Sequence, residues 1–339
     1  MANIIKTINL NNLEHNIKHI KSQNENVCAV VKANAYGHGI KNIVPHINDF
    51  VSYFAVNSME EAKCVRKFSK KPILVLCGFE QKDITYAINN NIEFVVFCKN
   101  QLLTLQKYAR KHKKTINIHV KFNTGMNRLG FCPTQNDINE LKTLLKSENR
   151  VKLCGICTHF GGGNNERVSS QAQKFENIIS QFPSSITNHS KSSSYIKNKK
   201  LSENEMLRTG LLIYGYGDKN VKPILTIKAK IIFIGKALKG DYIGYGTNFK
   251  INKDITYAVL GIGYYDGLPR CYAKNGYVLI DGKKAKICGN ICMNMTIVDI
   301  TKINTKVGDY ATILNEELNA DIIANSCGTI SYEILTNFK

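Results

Sequence analysis

The sequence predicts an α/β protein: an N-terminal (β/α)8 barrel followed by a C-terminal, mostly antiparallel β domain. Three observations carry this. Up to residue 214, eight apolar, strand-like runs recur with segments of helical spacing between most of them. From residue 221 onward, strand-like runs follow one another without helices, punctuated by glycines. Polar residues capable of chemistry gather at the ends of the early runs, where such barrels place their sites. The boundary is expected near residue 222, giving a barrel over 10–222 and a β domain over 223–339 that also takes in residues 1–9.

Taken in order, Asn3–Leu10 reads as extended. Asn11 or Asn12 is expected to cap a helix over Leu13–Lys21, whose Leu13, Ile17 and Ile20 form one stripe. Barrel strands are expected at Val27–Lys32, Tyr53–Val56, Pro72–Cys77, Ile92–Phe97, Ile116–Phe122, Lys152–Phe160, Ile186–Ser190 and Met206–Tyr214. Helical spacing lies between them, for instance over Ser58–Phe68, Gln101–Ala109, Gln135–Leu145 and Arg167–Gln181. The β domain should hold strands at Ile224–Ile234, Asp241–Gly246, Ile255–Gly261, Gly276–Ile280, Lys284–Cys288, Met295–Ile300 and Tyr310–Leu314. Asp281-Gly282 is a two-residue hairpin signal. A short helix over Leu318–Ser326 precedes the tail.

Composition narrows the function classes. A chain of 339 residues with 43% hydrophobic content can bury real cores. It contains no apolar run of about eighteen residues, so no membrane partner is expected. The opening MANIIKTINLNNLEHN lacks an apolar signal core, which points to the cytoplasm. The eleven cysteines are scattered and odd in number, several inside apolar runs (Cys77, Cys98, Cys154), and read as reduced, buried thiols. Cys154 and Cys157 form a lone CxxC inside a strand pattern, so they read as packed side chains and no metal site is expected. The formal charge of +20 comes from lysines spread in ones and twos with few aromatics among them. It reads as a lysine-rich surface that steers anionic substrates, without a specific nucleic-acid partner.

The chemistry centres on AVVKANAYGHG, Ala29–Gly39. A buried strand running directly into Lys32 delivers one amine to a strand end, and a desolvated lysine is a good nucleophile toward carbonyls and a usable base. Further on stand VKFNTGMNRLG (Val120–Gly130), CTHF (Cys157–Phe160), MLRTGLLIYG (Met206–Gly215), LGIGYYDGLPR (Leu260–Arg270), GNICMN (Gly289–Asn294) and TISYEILT (Thr329–Thr336). Seven motifs in this order, divided between a barrel and a β domain, resemble the alanine racemase family.

That resemblance implies a pyridoxal phosphate cofactor of the fold-type III class, an amino-acid substrate and a homodimer. Each site would be built from one barrel and the partner's β domain. Lys32 would hold the cofactor covalently and move the substrate α-proton on one face, and Tyr264 of GYYDG, from the partner, would serve the other. Two bases suit a reaction that removes a proton from one side and returns it to the other. Tyr265 is taken as pointing to the opposite face of a strand. Arg208 would face the pyridine nitrogen; an arginine can only donate, so the ring stays unprotonated, which favours racemisation over transamination or decarboxylation. His159 would hold Arg208 by a hydrogen bond and stack near the ring. The phosphate would be received by Tyr36, Ser193, Gly210, Leu211 and Tyr332. Arg128 and the Met293 N–H would bind the substrate carboxylate, with Lys121, a lysine of the kind that can be carbamylated, beside Arg128. The implied reaction interconverts L- and D-alanine and supplies D-alanine for peptidoglycan. A broader amino-acid racemase acting on serine or other substrates and a fold-type III decarboxylase are the alternatives; Arg208 weighs against the second. Asn123, Asn290 and Asn294 depart from the family's usual Asp, Arg and Asp and bear on substrate breadth.

Overall fold

The structure, a computed structural model, describes residues 3–23, 25–193, 201–247 and 249–338. It divides into two compact units: Glu14–Ala35 with Gly39–Ile213, and Met1–Leu13 with Tyr36–His38 and Tyr214–Lys339. Strand β1 (Ile4–Ile8) belongs to the second unit, and the barrel strands follow as β2 (Val27–Val30), β3 (Tyr53–Val56), β4 (Ile73–Val75), β5 (Ile92–Val96), β6 (Ile116–Lys121), β7 (Val151–Cys157), β8 (Thr187–His189) and β9 (Leu207–Thr209).

The first unit is a parallel sheet in the order β8-β7-β6-β5-β4-β3-β2-β9. Isolated parallel bridges, Asn188 to Glu205 and Ser192 to Arg208, join its two ends. A parallel strand covered on both faces must be apolar throughout, and β2, β4 and β5 are buried at every residue. Within β5 that includes Glu93, a carboxylate in an otherwise apolar run. The β6–β7 register slips between Ile118 and His119, because β7 bulges at Cys154: Ile118 pairs Leu153 and His119 pairs Gly155. Helices cover the outside, each started by a cap where the sequence offers one. Ser58 accepts from the Glu61 N–H ahead of Met59–Arg66, Thr134 from Asp137 ahead of Gln135–Lys146, and Asn164 from Arg167 ahead of Asn165–Ile179.

Local expectations needed adjusting. The first helix runs Leu10–Gln23, starting earlier than expected, and Asn9 rather than Asn11 or Asn12 does the capping: its Oδ1 accepts from Asn12 N at 3.1 Å. Strand β2 stops at Val30, so Lys32 lies just beyond the strand end rather than within it. Cys77 and Cys98, read as buried, are exposed, since both fall past the ends of their strands, and Cys154 is half-buried at the bulge. All eleven cysteines are free thiols.

The second unit holds a seven-stranded antiparallel sheet. Its main path is β13 (Lys283–Lys286), β12 (Tyr277–Ile280), β15 (Tyr310–Leu314), β10 (Leu225–Ala237), β11 (Ile255–Leu260) and β14 (Thr296–Asp299), with β1 paired to β10. The β12–β13 hairpin turns on Asp281 and Gly282, both at positive φ (48° and 72°), as a two-residue turn of the I′ kind requires. Asp241–Gly246 is not a strand: among the described residues a single bridge, Tyr242 to Lys250, is all the ladder it makes. Gly244 and Gly246 there take φ of 74° and 78°, which break an extended run. The tail holds two helices, Ala320–Cys327 and Ser331–Asn337, where one was expected.

Candidate active site

Four cations meet at the carboxyl end of the barrel strands. Lys32 follows β2, Lys121 ends β6, Arg128 lies on the loop after it, and Arg208 sits within β9. All four act together on the half-buried His159 beyond β7, whose pKa is pushed down to about 4, first by burial and then by Arg208, Arg128, Lys121 and Lys32 in turn. Burial, reinforced by Arg128 and Arg208, also lowers the Lys121 pKa. Among the described residues none of the four cations is in a salt bridge. Like charges held together without counterions make a ready receptor for anions.

Lys32 is presented by an unusual backbone. Ala33, Asn34, Ala35 and Tyr36 all have φ between 51° and 56°, a turn of left-handed helix built from residues other than glycine. Left-handed turns cost L-residues roughly 1–2 kcal/mol each, so surroundings must hold this one in place. The Glu61 carboxylate is one clamp: it accepts from Ala33 N at 2.5 Å and from Asn57 N at 2.8 Å. Asn34 is the other, its carbonyl accepting from Gly39 N and its Oδ1 from Ile40 N. The half-buried amine of Lys32 thus stands on a rigid pedestal.

Arg128 owes its place to a loop organised by Asn123. That side chain accepts from Gly125 N (3.1 Å) and Asn127 N (3.0 Å), and the chain then returns to pair Phe131 N with Lys121 O. A Cβ at Gly130 would lie 2.4 Å from Asn123 N, so the loop closes only around glycine there. Asn123 thereby supplies the acceptor that an aspartate would, which makes its departure from the family pattern harmless to the loop. Arg128 itself is exposed.

Arg208 is 8% exposed, and its guanidinium is held by three hydrogen bonds. It donates to His189 Nδ1 at 2.6 Å, to the His189 carbonyl, and to the Thr158 carbonyl at 2.7 Å. The sequence reading gave this hydrogen bond to His159. The register of β7, β8 and β9 gives it to His189 instead, because β9 lies beside Ser192 and the end of β8. Next to Arg208, Thr209 Oγ1 and Gly210 N both meet Ser193 Oγ, at 3.1 and 3.2 Å, and Leu211 follows, buried. Ser193 is therefore brought to the strand end that carries Gly210. Ser194, its neighbour in the serine-rich stretch, lies outside the described residues.

The second unit carries the remaining predicted residues. The GYYDG stretch forms a single 3-10 turn over Tyr264–Asp266, so the expectation that Tyr264 and Tyr265 point to opposite faces of a strand does not hold. Both rings are exposed, Tyr264 by 44%. The turn is fixed by its backbone: Tyr264 N donates to Cys292 O (3.0 Å), Tyr265 N to Met293 O (2.9 Å), and Asp266 accepts from Gly263 N (2.9 Å). Tyr264 and Met293 are thus neighbours. Tyr36 and Tyr332 lie together too, with ring centroids 5.9 Å apart, and burial raises the pKa of both phenols. Lys6 anchors this corner by donating to the carbonyls of Gly37 and Phe338.

Sequence reasoning missed His119, His189 and Glu93 as a group. His119 could have been suspected, since it stands two residues before Lys121 and so shares its strand face.

The chain matches the family models for the alanine racemase N-terminal domain over residues 8–218 and C-terminal domain over residues 224–339. It belongs to the alanine racemase family. An alanine racemase of Borreliella burgdorferi is 33% identical, covering 97% of this chain and 93% of the relative. The solved alanine racemase of Clostridium difficile 630 superposes with a TM-score of 0.91 at 30% identity, over 100% of this chain and 94% of that one. The Bartonella henselae alanine racemase, described with covalently bound pyridoxal phosphate, superposes with a TM-score of 0.89 over 100% of this chain and 98% of that one, though at 24% identity it speaks for the fold alone. No helix of the described residues is long and apolar enough to cross a membrane.

Proposed function

We propose that this protein interconverts L- and D-alanine with pyridoxal phosphate as cofactor, by a two-base mechanism, and supplies D-alanine for peptidoglycan. One observation carries the reading: the barrel end collects an amine on a rigid turn and three further cations without a carboxylate paired to any of them among the described residues. That donor set fits a phosphorylated, electron-poor ring bearing an aldehyde, together with a substrate carboxylate.

When bound, pyridoxal phosphate supplies an aldehyde that captures the substrate amine and a conjugated ring that acidifies the α-carbon. Lys32 would hold the cofactor and, as a free amine, would move the α-proton on one face. Tyr264 of the partner subunit moves it on the other, which is why a homodimer is part of the proposal. Arg208 would meet the ring nitrogen, to which it can donate but from which it can never accept a proton. By only donating, Arg208 would leave the ring a modest electron sink, which would favour return of the proton to carbon over side reactions such as decarboxylation. His159, kept neutral at physiological pH, adds no charge against the ring face. Ser193, Gly210 and Leu211 receive the phosphate together with the hydroxyls of Tyr36 and Tyr332. Arg128 takes the substrate carboxylate in a forked pair, with Lys121 beside it and the Met293 N–H of the partner subunit adding a donor.

In this reading residues 10–222 hold the cofactor, and residues 223–339 with 1–9 complete the partner's site. The neighbouring, exposed side chains of Tyr264, Tyr265 and Met293 support a covered patch on the β domain. The enzyme works in the cytoplasm, and its surface lysines steer anionic substrates without binding nucleic acid specifically. A broader substrate range is the second reading: Asn290, here donating to Tyr245 O at 3.1 Å, replaces an arginine and leaves one cation fewer near Met293.

The test is to incubate purified holoenzyme with L-alanine, and separately with L-serine, and measure the D-enantiomer. D-alanine should form with wild type and not with Lys32→Ala. No D-alanine from wild type would overturn the reading, and equal rates on serine would favour the broader racemase.

A further inference from the structure

Behind Arg208 runs a chain of buried side chains that the proposed reaction does not use. Glu93 Oε2 lies 2.9 Å from His119 Nε2, His119 Nδ1 lies 2.7 Å from His189 Nε2, and His189 Nδ1 lies 2.6 Å from Arg208 Nη1. Glu93 is 4% exposed, and both histidines 1%. The four residues come from β5, β6, β8 and β9, so only the folded barrel assembles them.

The proton arrangement follows from the arginine end alone. A guanidinium can only donate, so His189 Nδ1 must present a lone pair. Burial, together with the positive charge of Arg208, holds the His189 pKa well below its ordinary value, so the ring is neutral and carries its proton on Nε2. That proton is donated to His119 Nδ1, and His119 in turn offers Nε2–H to Glu93. Every link then has one donor and one acceptor. Reversing any ring would set two donors against each other.

We propose that Glu93 is a positioning residue for the reaction: through His119 and His189 it locks both imidazoles in the Nε2–H tautomer and supplies, at the far end of the chain, the only buried negative charge linked to the Arg208 guanidinium among the described residues. A buried cation without a counter-charge is costly, and a direct carboxylate partner would occupy the face that Arg208 needs for the ring. A relay through two neutral rings orients and balances the guanidinium while leaving its other face open. The fold makes specific room for it. A Cβ on Gly155 would sit 2.1 Å from His119 Nδ1, so the bulge that places glycine opposite His119 is what permits the His119–His189 contact. Asn117 Nδ2 donates to the second Glu93 oxygen at 3.3 Å, and the Tyr53 ring stands edge-on to His119.

This rests on the reading of Arg208 as the ring-nitrogen partner, so the experiment keeps the two apart. Holoenzyme carrying 15N-labelled histidine is examined by NMR for ring tautomers, and racemisation of alanine is measured for wild type, Glu93→Gln, Glu93→Asp and Gly155→Ala. Wild type should show both rings in the Nε2-protonated tautomer. Glu93→Gln removes the charge at constant shape, and should lower kcat roughly 10–100-fold, the size that outer partners of a site commonly carry, with KM within about twofold because Arg128 is untouched. Glu93→Asp should recover most of that loss, and Gly155→Ala should disturb the tautomers as well as kcat. Nδ1-protonated rings in wild type, or a Glu93→Gln enzyme with wild-type kcat, would overturn the relay and leave the racemase reading standing. A wild type that does not racemise alanine but shows the two locked rings would overturn only the functional reading.

Discussion

The barrel mouth and the Tyr264 turn solve opposite problems. At the barrel mouth, side chains do the holding: Arg208 is buried and held by His189 and the Thr158 carbonyl, and Lys32 is fixed by a left-handed turn clamped through the Glu61 carboxylate. At the turn, backbone holds backbone, and the two tyrosine rings are left exposed. The difference teaches where each region expects its chemistry. The barrel has already buried Arg208, whereas the β domain leaves the rings of Tyr264 and Tyr265 exposed.

Breaking the barrel side should be the more damaging. Lys32→Ala should abolish racemisation, with a loss of about 1,000-fold or more, since it removes the covalent anchor and one base together. Absorbance of the bound cofactor under dialysis should show the anchor gone. Tyr264→Phe should cost roughly 100- to 10,000-fold, the range for one lost acid-base group, while leaving cofactor bound and the fold intact by thermal melt. If its effect falls equally on cofactor retention, the distinction between the two regions fails.

Gly263→Ala sharpens the contrast further. A Cβ there would lie 2.2 Å from Cys292 O and 2.3 Å from Met293 O, so the turn must shift. Activity should drop about tenfold or more through displacement of Tyr264, and cofactor affinity should stay within about twofold. The smallest effect concerns pH. Burial, reinforced by the neighbouring cations, pushes the folded His159 pKa down to about 4 and holds that of His189 well below its ordinary value, against about 6.5 when unfolded. The unfolded chain therefore binds protons that the folded chain refuses, and stability should fall as pH drops from about 6.5 toward 4. His159 alone accounts for up to about 3 kcal/mol of that fall. Urea midpoints across this range should decline for wild type and flatten for His159→Asn.

How much of this could be read from sequence follows from the same contrast. The eight barrel strands were legible because strands covered on both faces must be apolar throughout. Lys32 was legible because a charge at the end of such a run has no packing reason to be there, and Arg128 and Arg208 were legible only through the family resemblance of their motifs. The relay was not legible, since Glu93, His119 and His189 meet only through strand register and through the Cys154 bulge, neither of which leaves a periodic trace. The left-handed turn was hidden for another reason: Ala-Asn-Ala-Tyr has no preference for positive φ, and tertiary contacts impose it. Asp241–Gly246 misled because alternating apolar residues outweighed two glycines that in fact break the strand.

The central claim, that the amine and the phenol of one site come from two copies of the chain, has a direct test. Lys32→Ala and Tyr264→Phe enzymes, each inactive alone, are unfolded together, refolded as a mixture and assayed for alanine racemisation. Mixed dimers carry one intact site, so activity should return to about a quarter of wild type if subunits pair at random. Activity no greater than that of the two variants refolded separately would contradict a shared site.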